Sequence, residues 1–186
     1  MGIKSKLKLI GLLPLFMAVV FGLIFYRGQE HLDALRDRAM LADAMEEDLR
    51  ALRDVAQRIF TSRDNQDRDL GYTLLEALDG RMLALETWRD DPALSAMIRD
   101  LGRRLVLARL HFMNLDGLSV PALAHVELPQ AREIDRRLHG ELDALEPLLH
   151  RLHHDSHRAA VAYSDRLWII ELGLLMATAV LVLLLT

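Results

Sequence analysis

The feature that most constrains this chain is a pair of long apolar runs, one near each end. Residues 9–26, LIGLLPLFMAVVFGLIFY, carry no charged side chain, and residues 167–186, LWIIELGLLMATAVLVLLLT, carry only Glu171. At about 1.5 Å of rise per residue, a helix of either length crosses the ~30 Å hydrocarbon core of a bilayer. The sequence therefore predicts two transmembrane helices, with residues 27–166 between them.

The distribution of lysine predicts the orientation. Lys4, Lys6 and Lys8 precede the first apolar run, and no acid accompanies them. Because cytoplasmic flanks carry the excess of positive charge, residues 1–8 are predicted to be a cytoplasmic tail. A cleaved signal peptide is the competing interpretation, but the run is long for one and YRGQE is a poor cleavage site. We expect a two-pass protein of a bacterial inner membrane with residues 27–166 in the periplasm.

Apolar residues between the two runs recur at steps of three and four, which is typical of amphipathic helices. Four helices are expected: one that ends near Thr61, a second that starts at Asp67 or Asp69 and stops at Asp90, a third opened by Asp91 and Pro92, and a fourth opened by Pro129. A long loop is expected over 116–130. The predicted core positions are Leu32, Leu35, Ala39, Ala42, Met45, Leu49, Leu52, Ala56 and Ile59, then Leu74, Leu78, Met82, Leu85 and Trp88, then Leu94, Ile98, Leu101, Leu105, Ala108, Phe112 and Leu115, and finally Leu138, Leu142, Leu145, Leu149, Leu152, Ser156, Ala159 and Tyr163.

These helices predict an all-α fold, a membrane-anchored antiparallel up-down four-helix bundle flanked by two transmembrane helices. The inner two helices are shorter, so each chain offers only two helices next to the membrane. A symmetric homodimer is expected to restore four. Pro147 lies inside the fourth helix, where it removes a backbone hydrogen bond, so a kink or a break into two helices is expected there.

The lysine-rich tail, the proline-containing run KLKLIGLLPLFMAVVFGLIFY, the helical segment 27–166 and the second apolar run together resemble the sensor half of bacterial chemoreceptors and sensor histidine kinases with four-helix-bundle input domains. The resemblance implies a homodimeric sensory input module for chemotaxis or a two-component system. It also implies that displacement of the last helix relays a periplasmic stimulus across the membrane. Such receptors continue into a kinase, cyclase or chemotaxis module, whereas this sequence stops at VLVLLLT. It is therefore either a truncated chain or an anchored bundle with no output of its own.

Two further functions stay open. The same bundle is suited to a membrane-anchored adaptor or assembly protein that binds another membrane or periplasmic protein. It is equally suited to a periplasmic metal or pH responder. The stimulus, whether a small molecule or a protein, is not identified by the sequence.

Half of the eight histidines lie in the segment LLHRLHHDSHR: His150, His153, His154 and His157. Their i, i+4 spacings allow two imidazoles to reach one zinc, nickel or copper ion, and a third ligand would be Asp155 or an acid of the first helix. Equal distances along antiparallel helices place these histidines opposite residues 37–43, with Glu46 and Glu47 just beyond. Because histidine titrates near pH 6.5, the segment is also a candidate proton sensor. A solvated outer helix face is the plain alternative.

Arginines are the other candidate ligand-binding groups. The resemblance implies that arginines of the first helix hold a ligand carboxylate, and Arg58 and Arg63, beside Thr61, lie at a suitable height. In the third helix, Arg99, Arg103 and Arg104 are positioned for an anion, although a mosaic of surface ion pairs explains both sets as well.

Three residues of the fourth helix are candidates for membrane signalling: Glu171, Trp168 and Pro147. An acid inside an apolar span is a functional candidate, and Trp168 is suited to a membrane interface.

Several classes of function are disfavoured. Residues 27–166 are acidic in balance, so no nucleic-acid partner is expected. The sequence has no cysteine, no nucleophile motif and no glycine-rich phosphate loop, so we expect no enzyme. No cofactor is required, and a divalent metal at the histidines is the one candidate.

Overall fold

The computed structural model describes residues 3–61, 65–89, 91–117 and 128–185. Within these ranges, side chains are described except at positions 3–15, 60, 61, 93, 128, 181, 182, 184 and 185. The described part is all-helical, with α1 (Ile3–Thr61), α2 (Asn65–Glu86), α3 (Pro92–Gly117) and α4 (Leu128–Leu185). The prediction of an all-α fold with four helices is therefore confirmed. Most of the predicted loop, residues 118–127, lies outside the described residues.

The membrane part of the predicted fold is corrected. Among the described residues, no helix has a stretch that is both long and apolar enough to cross a membrane. This finding contradicts the two transmembrane helices predicted at 9–26 and 167–186, and with them the two-pass inner-membrane location. The predicted tail at 1–8, residues 9–15 and most of 181–186 lie outside the described side chains.

The chain forms two compact units. The larger, here called the bundle unit, comprises residues 38–154. The smaller, here called the terminal unit, comprises residues 1–37 and 155–186. The helices α1 and α4 contribute residues to both units, whereas α2 and α3 belong to the bundle unit alone.

All four helices contribute to one continuous core in the bundle unit, because each presents apolar side chains at steps of three and four. Its buried residues are Ala42, Met45, Leu49, Leu52, Val55, Ala56, Ile59, Leu75, Leu78, Met82, Leu85, Ile98, Leu101, Leu105, Ala108, Phe112, Leu115, Leu138, Leu142, Leu145, Leu149 and Leu152. Most of the predicted core positions are buried, but Leu75 takes the place of Leu74 in α2, and Leu74, Trp88 and Leu94 are only partly buried. Burying one such leucine contributes about 1.5–3 kcal/mol.

Ion pairs show how neighbouring helices run in the bundle unit. Arg81 of α2 pairs with Asp48 of α1, and Arg58 pairs with Asp67. Because the residue number rises along α1 as it falls along α2 in these pairs, the two helices are antiparallel. The pairs Arg109–Asp79 and Arg68–Asp116 show the same relation between α2 and α3. The up-down connection is therefore observed for α1, α2 and α3.

Gly71 of α2 lies directly against the ring of Phe112 of α3. A Cβ atom added there would overlap the ring of Phe112, which is fully buried. Tyr72 meets the same ring edge-on at 5.4 Å between centroids, and its hydroxyl donates a hydrogen bond of 2.9 Å to Asp116 Oδ2. Arg68 donates to the other carboxylate oxygen of Asp116 and, at 2.8 Å, to its backbone carbonyl. These contacts fasten the start of α2 to the end of α3.

The terminal unit has a small core of its own. Leu32 and Leu35 of α1 are buried with Ala160 of α4, and Tyr163 packs against them. His31 meets Tyr163 edge-on at 4.6 Å. The predicted core position Ala159 is exposed instead, because the step after the buried Ser156 is four residues rather than three.

Candidate functional site

The predicted histidines lie along one stretch of α4, and two of them face α1. His153 is half-buried, with Nδ1 3.1 Å from the backbone carbonyl oxygen of Ala39. His150 and His154 are exposed, and their rings are parallel, 6.4 Å apart between centroids. One turn of helix separates these two residues, so their side chains project from the same face. Ala39 lies in the range of α1 that the sequence predicted to oppose the histidines.

A buried carboxylate of α1 lies beside this face. The side chain of Glu46 is only 9% exposed, and its Oε1 is 3.7 Å from His150 Nδ1. Arg50, one turn further along α1, donates a hydrogen bond of 2.9 Å to Glu46 Oε2. Within the described ranges, Glu46 is the one buried residue that carries a charge. Since a buried carboxylate is costly unless it is paired, its partners Arg50 and His150 matter to the α1–α4 contact.

A second polar link joins α1 to α4 two turns further along α1. Arg53 Nη2 donates to Asp143 Oδ1 at 2.6 Å and to Glu146 Oε2 at 3.1 Å. The side chain of Arg53 is 29% exposed, whereas those of Asp143 and Glu146 are 67% and 44% exposed, so this link is a surface ion pair. Arg53 follows Glu46 along α1, whereas its partners Asp143 and Glu146 precede His150 along α4. The two helices are therefore antiparallel in the bundle unit. The sequence did not single out Arg53.

Pro147 follows Glu146 directly and lies inside α4. The helix is assigned without interruption from Leu128 to Leu185, so the predicted break into two helices is not observed. Proline has no backbone N–H, and the carbonyl of Asp143 therefore lacks its usual helical partner. Pro147 thus marks a weak point of α4 at the level of the Arg53 link.

The arginines that were predicted to bind a ligand form ion pairs at separate places in the bundle unit. Arg58 Nε donates a hydrogen bond of 2.8 Å to Asp67, so this arginine ties the end of α1 to the start of α2. The side chains of Thr61 and Arg63 lie outside the described residues. In α3, Arg103 pairs with Asp100, and Arg104 pairs with Asp100 and with Glu141 of α4. The structure therefore does not bring the predicted arginines together into one anion site.

The histidine face was also a candidate metal site. Among the side chains that the structure describes, no group of three or more histidine and acidic residues is placed to hold a metal ion. The parallel rings of His150 and His154 do not converge on a common point.

Glu171 and Trp168 lie in the terminal unit. The side chain of Trp168 is 68% exposed. Glu171 is half-buried and lines a groove of about 550 Å³ between α1 and α4. Its carboxylate has no hydrogen bond or ion pair among the described residues. The other polar residue of the groove, Thr178, donates a hydrogen bond to the carbonyl of Leu174 in its own helix.

The pKa values that shift among the described residues belong to groups away from the histidine face, namely Arg68, Tyr72, Asp100, Glu133 and Arg136. Burial, followed by the hydrogen bond to Asp116, raises the pKa of Tyr72 above its ordinary value of 10.0. Hydrogen bonds from Arg136 and then Arg137 lower the pKa of Glu133 from 4.5 to about 2. Both belong to ion-pair clusters on helix surfaces and suggest no catalytic acid or base.

Comparison with protein-family models, with curated proteins and with solved structures finds no match to this chain.

Proposed function

We propose that this chain is a sensory input module in which α4 shifts against α1, and that protonation of the histidine face is a stimulus for the shift. The observation that carries the proposal is the contact between His150 and the buried carboxylate of Glu46. It places an exposed imidazole of one helix beside a buried carboxylate of the other.

The sign of the effect follows from the charges. A proton on His150 places a positive charge 3.7 Å from an oxygen of Glu46, and acidification is the condition that favours protonated histidine. The attraction adds about 0.2–1 kcal/mol to the α1–α4 contact, since His150 is mostly exposed. The contacts described for these two side chains also include Arg50, on the far oxygen of Glu46, and His154, stacked on His150. Protonation of both histidines makes them repel one another.

The links between α1 and α4 suit such a shift. They are polar contacts at separate levels, at Ala39, Glu46 and Arg53, over an apolar core that is not itself changed by pH. Small displacements of packed helices between discrete arrangements are an established form of signal relay. Pro147 lies between the Arg53 link and the histidines and lowers the resistance of α4 to bending.

An adaptor that binds another protein is the second candidate. One observation favours it: Val106, Leu110 and Met113 of α3 are 66%, 50% and 49% exposed and recur at steps of four and three. They form a second apolar stripe outside the core. An adaptor has no need of a proton-dependent distance between α1 and α4, so one experiment separates the two candidates.

The test is a distance measurement by pulsed electron paramagnetic resonance on the full chain. The chain has no cysteine, so spin labels can be placed at Met40→Cys on α1 and Arg151→Cys on α4, both exposed. Labelled chains are diluted with unlabelled ones so that only distances within a chain are recorded. We expect the distance distribution to change between about pH 7.5 and about pH 5.5, the range in which histidine gains its proton.

Three variants control this measurement. His150→Gln and Glu46→Gln should each abolish the change. His139→Gln should preserve it, because the described polar contacts of His139 are with Asp135 of the same helix. A distribution that is the same at both pH values, or a change that persists in His150→Gln, would reject proton sensing at this contact.

A further inference from the structure

The described residues that line the groove of the terminal unit are apolar apart from Glu171 and Thr178. Met17, Phe21 and Phe25 of α1 face Leu174 and Leu175 of α4 across a volume of about 550 Å³. This volume lies in the ~300–1,000 Å³ range of sites that bind small organic molecules. The hydroxyl of Thr178 donates a hydrogen bond to its own helix, so among the described lining residues the polar group without a hydrogen bond is the carboxylate of Glu171.

Glu171 determines which ligand the groove prefers. Its half-buried carboxylate has no partner among the described residues, although a carboxylate among apolar side chains loses hydration without compensation. A cation placed beside it recovers part of that loss. An anion of the same size would meet only repulsion from Glu171.

We propose that this groove binds a lipophilic organic cation, a molecule with one positive charge surrounded by aromatic or alkyl groups. The positive charge lies against Glu171, and the hydrophobic groups fill the space between α1 and α4. The site lies in the terminal unit, and the proposal does not depend on the function proposed for the histidine face.

The test compares two ions of equal shape and opposite charge, tetraphenylphosphonium and tetraphenylborate, by calorimetric titration of the full chain. We expect saturable binding of the phosphonium, at least about tenfold tighter than that of the borate, which corresponds to ~1.4 kcal/mol. In Glu171→Gln the ratio of phosphonium affinity to borate affinity should fall towards one. The affinity for the borate should not decrease. Asp165→Asn removes the same charge from an exposed position of α4 and should keep the preference.

A second pair of variants tests the location of the site. Gly22 lines the groove, and a Cβ added there meets no atom within 4 Å, so Gly22→Leu fills the space without a clash. This variant should weaken binding of both ions by about tenfold or more. The matched variant Gly173→Leu changes a glycine of α4 that is equally unobstructed and does not line the groove, and it should bind both ions as before.

Four results would overturn the proposal. They are no saturable binding of the phosphonium, equal binding of the two ions by the unaltered chain, an undiminished preference in Glu171→Gln, and equal binding by the Gly22→Leu and Gly173→Leu variants.

Discussion

At the scale of single residues, the contact between Gly71 and Phe112 fixes how closely α2 approaches α3. The ring fills the space that a Cβ atom at position 71 would occupy. Gly71→Ala must therefore displace a fully buried ring, and we expect it to destabilise the chain by about 1–3 kcal/mol. The free energy of unfolding, measured by denaturant titration of circular dichroism, checks this.

The same helix supplies the control. Gly80 lies in α2 with no atom within 4 Å of an added Cβ, so Gly80→Ala improves helix propensity without a clash. It should stabilise the chain by about 0.5–1 kcal/mol. If both substitutions change the free energy of unfolding in the same direction, the Gly71–Phe112 contact is not as described.

Single residues also show what the sequence could not predict. Helical spacing predicted nearly all buried apolar positions, because burial of apolar side chains follows the period of the helix. It could not predict that Glu46 is buried, since a charged residue beside the core stripe is usually exposed. That burial depends on the partners Arg50 and His150, and the latter comes from another helix.

At the scale of elements, the polar contacts of Asp116 join the start of α2 to the end of α3. The phenol of Tyr72 is held neutral by burial and by its hydrogen bond to Asp116, so its pKa is raised. The folded-state pKa exceeds that of the unfolded chain. The contribution of this group to stability is therefore fully present below pH 10.0 and is lost as the pH rises through the folded-state value.

We expect an ultraviolet absorbance titration to show Tyr72 ionising above pH 10.0, with its signal assigned by subtraction of a Tyr72→Phe variant. Asp116→Asn should lower the pKa of Tyr72 only part of the way to its ordinary value, because burial is the larger cause of the shift. Ionisation of Tyr72 at or below pH 10.0 in the unaltered chain would contradict the α2–α3 geometry described here.

The ends of the helices were predicted to different degrees. Pro92 is the first residue of α3, as expected. Proline fits the first position of a helix, and the residue that precedes a proline disfavours helical backbone angles. The start of α2 lies at Asn65, two residues before the earlier of the two predicted starts. Several polar residues in that segment are competent helix caps, so local sequence does not select one of them.

At the scale of the whole molecule, the two units differ in how much apolar surface they bury. The bundle unit has an extensive core from four helices, whereas the terminal unit buries Leu32, Leu35 and Ala160. Since local opening is easiest where few apolar contacts are buried, we expect faster amide hydrogen exchange in the terminal unit.

Hydrogen exchange followed by mass spectrometry checks this on the full chain. Peptides covering residues 29–36 of α1 should exchange about tenfold or more faster than peptides covering 45–56 of the same helix. Both segments are helical and continuous, so backbone hydrogen bonding alone does not separate them. Equal protection along α1 would show that the terminal unit is held by contacts beyond those described.

The candidate site was predicted in part for a simple geometric reason. Counting equal distances along antiparallel helices placed the α4 histidines opposite α1, and the structure brings His153 to Ala39 and His150 to Glu46. The groove beside Glu171 was not predicted, because its shape depends on how far apart α1 and α4 lie. The two predicted membrane spans were wrong. They were inferred from apolar composition alone, and no described helix is long and apolar enough to cross a membrane.

The seating of Phe112 against Gly71 has a dynamic consequence. An aromatic ring wedged against the backbone of a neighbouring helix cannot rotate by half a turn about its Cβ–Cγ bond unless that helix recedes. The flip rate of this ring therefore reports how often α2 and α3 separate transiently, and it measures the timescale of that motion in the bundle unit.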